Sequence, residues 1–376
     1  MIVKNEEALL PECLASINDV AHEIIIVDTG STDKTLEIAE IYANKIYHHL
    51  WEKDFAKHRN QSIGYARGEW VLIIDADERL KTDPETIERI LSDSLIDAVG
   101  LRIINPCHRG NICFDSTRIF RNNRGYRYEG IVHEQLVGPK HITLSDIEIL
   151  HVGYDKGEEA ARSKYERTAA LLKRQLEEDP DNVFSLINLA VSCITVDKTQ
   201  EAFEYSSKAV RIIEMKEATT PLFRHAYAIL LMILIRSSRF DEAEEVGMKS
   251  LRRFGSDPDI LSGLVMNNVG RKNWLAAISY GEAYLKLNGA PIRRSRLIEP
   301  FAEWRVLVSI ASAHVMTGRP DQAQALFERA LDSSPDRNGL AIEIGTMLFL
   351  AGHRERGLSY MARPFTPTSR SSSPLL

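Results

Sequence analysis

Two acidic clusters in this sequence each follow an apolar run that is typical of a buried strand. Asp75 and Asp77 are separated by one small residue and come directly after the run at residues 71–74. Two carboxylates so placed can hold one hard divalent cation, and that cation can bridge to a diphosphate. This chemistry suits a nucleotide-sugar, whose departing diphosphate must be neutralised. The alternative is that the Asp-Ala-Asp triplet only caps a helix or closes a loop.

The second acidic cluster is the loop at residues 28–33, which follows the apolar run at residues 24–27. It has one glycine and no GxGxxG motif, which argues against a Rossmann dinucleotide site. Its acidic side chains, beginning with Asp28, repel phosphate but can accept hydrogen bonds from a base or a ribose. The alternative for the end of the loop is helix capping by Ser31, Thr32 and Asp33.

The elements that must position these loops alternate between strands and helices. This order predicts a mostly parallel α/β sheet, which binds ligands at the carboxyl ends of its strands. Asp54 is expected to cap a helix that carries Arg59 and that Gly68 ends in a left-handed conformation. Arg59 lies either on a solvated helix surface or near a diphosphate. Beyond Pro84, four strand patterns predict an antiparallel excursion, at residues 98–104, 116–121, 126–130 and 147–151.

The second half of the chain has the pattern of paired helices. Its clearest unit matches the tetratricopeptide repeat of about 34 residues, with small, aromatic and proline residues at Ala311, Gly318, Ala323, Phe327, Ala330 and Pro335. Weaker copies recur at irregular spacing, so an irregular helical bundle is the alternative. We therefore predict three parts: a nucleotide-binding domain at residues 1–156, helical repeats at 157–362, and a disordered Ser- and Pro-rich tail at 363–376.

Composition excludes several classes of partner. The net charge is −6 and the basic residues are scattered, which argues against nucleic-acid binding. The four cysteines show no CxxC spacing, which favours reduced thiols in a cytoplasmic protein. The longest apolar run, at residues 226–235, is about half of the ~20 residues that a membrane span needs. We expect no membrane span.

Four blocks in the first domain then carry a resemblance: MIVKNEE, EIIIVDTGSTDKT, DFAKHRNQS and ARGEWVLIIDADE. In this order and spacing they resemble glycosyltransferase family 2 of the GT-A fold, in the branch that joins this domain to tetratricopeptide repeats. That branch includes enzymes that place sugars on cysteines of bacteriocin precursor peptides. The resemblance covers residues 1–154 strongly and the helical half loosely. It implies that Asn5, Glu6 and Asp28 face the nucleoside and that Arg59 lies near the phosphates.

The same resemblance assigns roles to the metal site and to three later blocks, STRIFRN, YEGIVHEQL and ILHVGY. It implies that Asp75 and Asp77 form a DXD pair that binds Mn²⁺ or Mg²⁺, and that His151 completes the metal site. The alternative for His151 is a hydrogen-bonded core histidine. Glu134 is a candidate general base for inverting transfer. A structural salt bridge from Glu134 to Arg118 or Arg121 is the alternative.

These features predict an enzyme that moves a sugar from a UDP-linked donor to a peptide or protein side chain. The repeats would select the acceptor or form a homodimer. Relatives in the family usually begin several residues earlier, and this supports the alternative of a non-catalytic repeat scaffold with a degenerate front domain. A phosphatase of the haloacid dehalogenase type is disfavoured because Arg79 stands where that chemistry needs Thr or Val.

Overall fold

The computed structural model describes residues 1–106, 112–153, 158–220, 223–288 and 302–363. The chain divides into two compact units, one from Met1 to Asp197 and one that begins at Lys198. In the described residues, every strand belongs to the first unit. The sequence boundary at 156/157 separates strands from helices, whereas the compact units divide after Asp197. Residues 364–376 of the predicted tail lie outside the described part of the chain.

The first sheet consists of three short parallel strands in the order β1-β2-β3, which are Ile2–Val3, Ile25–Asp28 and Lys45–His48. Helices α1 (Leu10–Ile17) and α2 (Thr35–Tyr42) connect them along the chain. All four residues of β2 are buried, which explains its continuous apolar run. Val3 pairs with Asp28, so β1 and β2 end side by side.

The second sheet has five strands and mixes parallel with antiparallel pairing. Its order is β4-β7-β6-β10-β5, and the strands are β4 (Trp70–Leu72), β5 (Glu78–Leu80), β6 (Ala98–Asn105), β7 (Ile112–Arg121) and β10 (Ile142–His151). A separate two-stranded hairpin is formed by β8 (Arg127–Glu129) and β9 (Gln135–Val137). Helix α3 (Phe55–Tyr65) precedes β4, and helix α4 (Pro84–Leu91) follows β5.

Parallel pairing is therefore confined to the first sheet and to the β6–β10 pair. Strand β4 lies at an edge and pairs antiparallel with β7. Asp28, the last residue of β2, and Asp75, which follows β4, are therefore associated with two different sheets. The two sheets nevertheless share one hydrophobic core, to which Ile26, Ile74 and Leu101 belong. That shared core places the two acidic loops in the same domain.

Helix α3 begins as predicted and ends differently. The side chain of Asp54 accepts a hydrogen bond from the Lys57 amide, which caps the helix. The helix ends at Tyr65, where Ala66 is already extended. Gly68 does not have a positive φ, so its predicted role as a left-handed helix stop is wrong. The side chain of Asn122 instead stabilises the end of the helix, because its Nδ2 donates to the backbone carbonyls of Ala66 and Gly68.

The remaining helices follow one another with short connections. Helices α5 (Glu158–Glu178) and α6 (Val183–Ile194) belong to the first unit. The second unit contains α7 (Thr199–Met215), α8 (Arg224–Arg236), α9 (Phe240–Phe254), α10 (Pro258–Gly270), α11 (Trp274–Asn288), α12 (Glu303–Met316), α13 (Pro320–Ser333), α14 (Arg337–Leu350) and α15 (Arg354–Met361). In the part of the chain that is described, no helix is both long and apolar enough to cross a bilayer.

Within the second unit, helices pack in pairs, α8 with α9, α10 with α11, α12 with α13, and α14 with α15. Two successive pairs begin 34 residues apart, at Arg224 and Pro258, and the same interval separates Glu303 from Arg337. In the unit that best matches the repeat pattern, Ala311, Ala323, Phe327 and Ala330 are buried, whereas Gly318 is exposed and has a positive φ between α12 and α13. The helical half is thus a set of tetratricopeptide-like repeats with irregular intervals.

Candidate active site

Asp75 lies just beyond β4, between two arginines from other elements. Its Oδ1 is 3.2 Å from Nη1 of Arg59 in α3, and its Oδ2 is 3.4 Å from Nη1 of Arg118 in β7. Partial burial alone would raise the pKa of the Asp75 carboxyl, but the two guanidinium groups hold it well below its ordinary value. Both oxygens of Asp75 are therefore engaged by cationic side chains.

Glu78 contacts both Asp75 and Arg118. Its Oε1 is 2.8 Å from Nη2 of Arg118, and its Oε2 accepts a hydrogen bond of 2.8 Å from the Asp75 amide. The Glu78 side chain is 2% exposed, and burial raises the pKa of this carboxyl against the opposing effect of Arg118. Glu78 thus fixes both the backbone of Asp75 and the guanidinium that faces it.

Asp77 and His151 lie next to each other at the end of the second sheet. The Nε2 atom of His151 is 3.1 Å from Oδ2 of Asp77, and its Nδ1 is 2.8 Å from Oδ1 of Asn105. An imidazole whose Nδ1 donates to an oxygen presents its Nε2 lone pair to a metal. A Cβ atom at Gly153 would overlap the Asp77 carboxylate, so the glycine leaves room for that group.

The pairing of β5 with β10 explains how these two side chains meet. His151 is the register partner of Glu78, and the Val152 amide donates to the Asp77 carbonyl at 2.9 Å. Residues 77 and 151 are distant in sequence, but Asp77 immediately precedes β5, and His151 is the last residue of β10, its antiparallel neighbour. His151 therefore lies close to Asp77, as expected, because the register of β10 on β5 places the two residues side by side.

The donor set at this position fits a divalent cation only in part. Among the described residues, no three His, Cys, Asp or Glu side chains are arranged to hold a metal. Asp77 and His151 supply one carboxylate and one imidazole, while the oxygens of Asp75 face arginines. Mg²⁺ at phosphate sites commonly takes one or two protein carboxylates and completes its coordination with phosphate oxygens and water. The pair therefore fits such a cation when a diphosphate is present.

The residues predicted to face the nucleoside build a loop at the ends of β1 and β2. The Asp28 carboxylate is buried and accepts hydrogen bonds from the amides of Gly30 and Ser31, at 3.0 and 3.1 Å. Oδ1 of Asn5 accepts from the Thr32 amide at 2.8 Å. The Ser31 hydroxyl accepts from the Asn5 amide at 3.1 Å.

The adjoining residues anchor the same loop to α2. The Glu6 amide donates to Oγ1 of Thr35 at 2.7 Å. Asp33 accepts from the amide of Thr35, the first residue of α2, at 3.0 Å, although Lys34 precedes the helix and makes no side-chain capping bond. These hydrogen bonds fix the conformation of the loop that we expect to contact a ribose or a base.

Glu134 lies on the connection between β8 and β9 and pairs with Arg59, whose Nε is 2.6 Å from Oε1 of Glu134. The salt-bridge alternative named Arg118 or Arg121, and neither is the partner: Arg118 pairs with Glu78, and Arg121 pairs with Glu69. Arg59 is buried and bridges Glu134 to Asp75. Among the described residues, Oε2 of Glu134 accepts no hydrogen bond.

The structure thus brings the predicted residues Arg59, Asp75 and Glu134 into one network, and it sets Asp77 beside His151. Sequence reasoning missed the supporting roles of Glu78, Arg118 and Asn105, of which it named only Arg118, as a possible partner of Glu134. The first two stand inside blocks that carried the family resemblance, DADE and STRIFRN. Asn105 ends β6, and no local pattern distinguishes it from other polar residues at strand ends.

Residues 1–135 match the family model described as glycosyl transferase family 2. This part of the chain is similar to family 2 glycosyltransferases. The matched span contains Arg59, Asp75, Asp77 and Glu134, whereas His151 lies beyond it. The match therefore ends at the hairpin that carries Glu134, and later residues supply β10 of the second sheet.

Two relatives extend the similarity into the helical half. The SPbeta prophage-derived glycosyltransferase SunS of Bacillus subtilis is 30% identical over 220 residues, covering 56% of this chain and 52% of SunS. A TPR repeat-containing protein of Synechococcus elongatus is 33% identical over 198 residues, covering 49% of each chain. The chain spans about half the length of the curated relatives it matches. The solved structure of YrrB, a TPR protein, aligns with a TM-score of 0.39 at 17% identity, over 51% of this chain and 89% of YrrB.

Proposed function

We propose that this chain is a glycosyltransferase that moves a sugar from a nucleotide-sugar, with UDP as the carrier, to a peptide or protein side chain. One observation carries the proposal. Asp77, within the span that matches the family 2 model, contacts His151 and lies two residues along the chain from Asp75, which is held between two arginines. This arrangement provides anionic and neutral ligands for a cation, and positive charge beside them for a diphosphate.

In the proposed reaction, the bond between the anomeric carbon and the diphosphate oxygen breaks, and its electron pair leaves with the diphosphate. Mn²⁺ or Mg²⁺ bound by Asp77 and His151 would supply a positive charge to that leaving group. Arg59 and Arg118 both contact Asp75, and their guanidinium groups would add fixed positive charge next to it. Asp75, already anchored by these arginines, would position the ribose or the cation.

The acceptor side requires a group that removes a proton. We assign this role to Glu134: its carboxylate takes the proton from the acceptor atom as that atom bonds to the anomeric carbon. Oε1 is anchored by Arg59, while Oε2 accepts no hydrogen bond among the described residues. Attack from the face opposite the leaving diphosphate inverts the anomeric carbon. Asn5, Glu6 and Asp28 form the loop that we assign to the nucleoside.

A polypeptide acceptor is supported by the helical half. Stacked helical repeats commonly present extended binding surfaces, and groups that hold an acceptor away from the reacting atom assist transfer. The relative SunS, which aligns over more than half of this chain, is itself named a glycosyltransferase. The alternative use of the repeats is formation of a homodimer.

The proposal is tested by incubating the whole chain with a panel of UDP-sugars, with manganese or with a chelator, and measuring release of UDP. We expect release that depends on the cation. Asp77→Asn should lower turnover by on the order of 100-fold or more, because it removes the carboxylate that we assign to the cation together with His151. The thermal transition should move by no more than a few degrees, since a partly exposed loop carboxylate contributes little stability.

Asp83→Asn is the matched control, because Asp83 is an exposed aspartate that caps α4 and lies outside the site. It should release UDP at the wild-type rate. Wild-type turnover in Asp77→Asn would refute the metal assignment. Absence of release with every UDP-sugar would leave the non-catalytic scaffold as the better account of the chain.

A further inference from the structure

One face of α3 contacts the hairpin that carries Glu134. Ala56, Arg59, Asn60 and Ile63 recur at intervals of three and four residues, so they lie on the same side of the helix. Arg59 bonds to Glu134, and Ala56 and Ile63 pack in one hydrophobic cluster with Tyr128 of β8. This face therefore attaches α3 to the β8–β9 hairpin, which carries the proposed base Glu134.

Asn60 makes the most specific contact on this face. Its Nδ2 donates to the Tyr128 carbonyl at 2.9 Å, and its Oδ1 accepts from the Tyr128 amide at 2.8 Å. A carboxamide is the side-chain group that offers a donor and an acceptor with the spacing of a backbone peptide. Asn60 thus pairs with Tyr128 as a neighbouring strand would.

The hairpin depends on such attachment because it is very short. Strands β8 and β9 have three residues each and, in the part of the chain that the structure describes, pair only with one another. An isolated two-stranded hairpin is marginal in water. A further hydrogen bond ties the Phe55 amide to the Ile131 carbonyl at 2.9 Å. Between these anchors and β9, the chain turns through Gly130 and His133, both with positive φ, and arrives at Glu134.

We propose that Asn60 is a positioning residue: by pairing with both backbone groups of Tyr128, it sets the hairpin so that Glu134 lies against Arg59 and beside the donor site. This inference rests on the proposed function of Glu134. A displacement of about 1 Å in a reacting group can cost on the order of 100-fold in rate. Loss of the Asn60 carboxamide should therefore act on the chemical step, through Glu134, and leave the donor-binding residues in place.

The test compares the full-length variants Asn60→Ala, Glu134→Gln and the double variant. Asn60→Ala should lower kcat by roughly 10- to 100-fold while the Kd for UDP with manganese, measured by calorimetry, changes less than about 3-fold. If Asn60 acts through Glu134, the double variant should be no slower than Glu134→Gln alone. Multiplication of the two losses would overturn the proposal, because Asn60 would then act independently of Glu134.

Asn122→Ala is the matched control. The Asn122 amide also makes two side-chain to backbone hydrogen bonds of 2.9 Å, to Ala66 and Gly68 at the far end of α3. It should leave kcat within about 3-fold of wild type and should combine multiplicatively with Glu134→Gln. An equal loss of kcat in Asn60→Ala and Asn122→Ala would also overturn the proposal, since it would indicate general loosening of the domain.

A structural readout separates this inference from the proposed function. Amide hydrogen exchange over residues 126–137 should accelerate in Asn60→Ala and remain unchanged in Asn122→Ala, whether or not the chain turns over any UDP-sugar. Unchanged exchange in Asn60→Ala would refute the attachment itself. If exchange accelerates but Glu134→Gln transfers sugar at the wild-type rate, the assignment of Glu134 as base fails, and the positioning role that depends on it fails as well.

Discussion

At the scale of single residues, His225 in α8 is buried without a hydrogen-bond partner. It is 4% exposed, and neither ring nitrogen has a partner among the described residues. Burial lowers its pKa from an ordinary value near 6.5 to about 4, with Arg224 acting in the same direction and Asp257 opposing it. The folded protein therefore keeps this imidazole neutral at pH values at which the unfolded chain would protonate it.

This difference predicts an acid sensitivity of the helical unit. Below about pH 6.5 the unfolded state binds a proton that the folded state excludes, so the free energy of unfolding falls as the pH drops toward 4. The loss amounts to about 1.4 kcal/mol per pH unit, or roughly 2 kcal/mol between about pH 6.5 and pH 5. His225→Leu should lose less over that interval. Urea unfolding, followed by circular dichroism, measures the free energy of unfolding of the wild type and of His225→Leu at each pH. An equal fall in the two proteins would contradict the prediction.

At the scale of elements, α14 and α15 approach each other through two glycines. A Cβ atom at Gly357 would lie 2.6 Å from the Gly345 carbonyl oxygen and 2.8 Å from the Phe349 amide nitrogen. Distances this short leave no space for a methyl group between the two backbones. Glycine is unfavourable inside a helix on grounds of entropy, so its presence at both positions is explained by the close crossing.

Gly357→Ala should therefore destabilise the last helix pair by about 1–3 kcal/mol, because the helices must separate to admit the methyl group. Gly64→Ala in α3 is the opposite case, since a Cβ there meets nothing within 4 Å. That substitution should stabilise the first unit by roughly 0.5–1 kcal/mol through reduced entropy of the unfolded chain. Thermal unfolding of the two variants measures both effects, and a stabilising Gly357→Ala would refute the close crossing.

At the scale of the whole molecule, we propose different roles for the two compact units. Every residue assigned to donor binding and catalysis lies between Met1 and Asp197, in the first unit. The second unit consists, in its described residues, of helices. We propose that it selects the acceptor, with dimer formation as the competing role.

The test compares the first unit, expressed as residues 1–197, with the whole chain. The cut follows Asp197 and not residue 157 because α5 and α6 belong to the first unit. The fragment should release UDP from a UDP-sugar at a rate within about 10-fold of the whole chain, yet lose transfer to peptide, because distant contacts that hold the acceptor are absent. Equal transfer to peptide by both would remove the second unit from acceptor recognition. Sedimentation of the whole chain tests the dimer.

The sequence by itself determined most element types and several of the residues that meet in the site. Local patterns predicted β2 and the start of α3 after Asp54, because apolar runs and capping residues act over a few positions. The family blocks identified Arg59, Asp75, Asp77, Glu134 and His151 before any geometry was known.

Only the tertiary structure decided which of these residues are partners. The antiparallel pairing of β4 with β7 brings Arg118 to Asp75, the register of β5 on β10 brings His151 to Asp77, and the attachment of the hairpin to α3 brings Glu134 to Arg59. Such contacts join positions far apart in the chain, and they depend on the order and register in which strands pair. A local pattern specifies that a strand exists, but the strand beside it is chosen by the packing of the whole core.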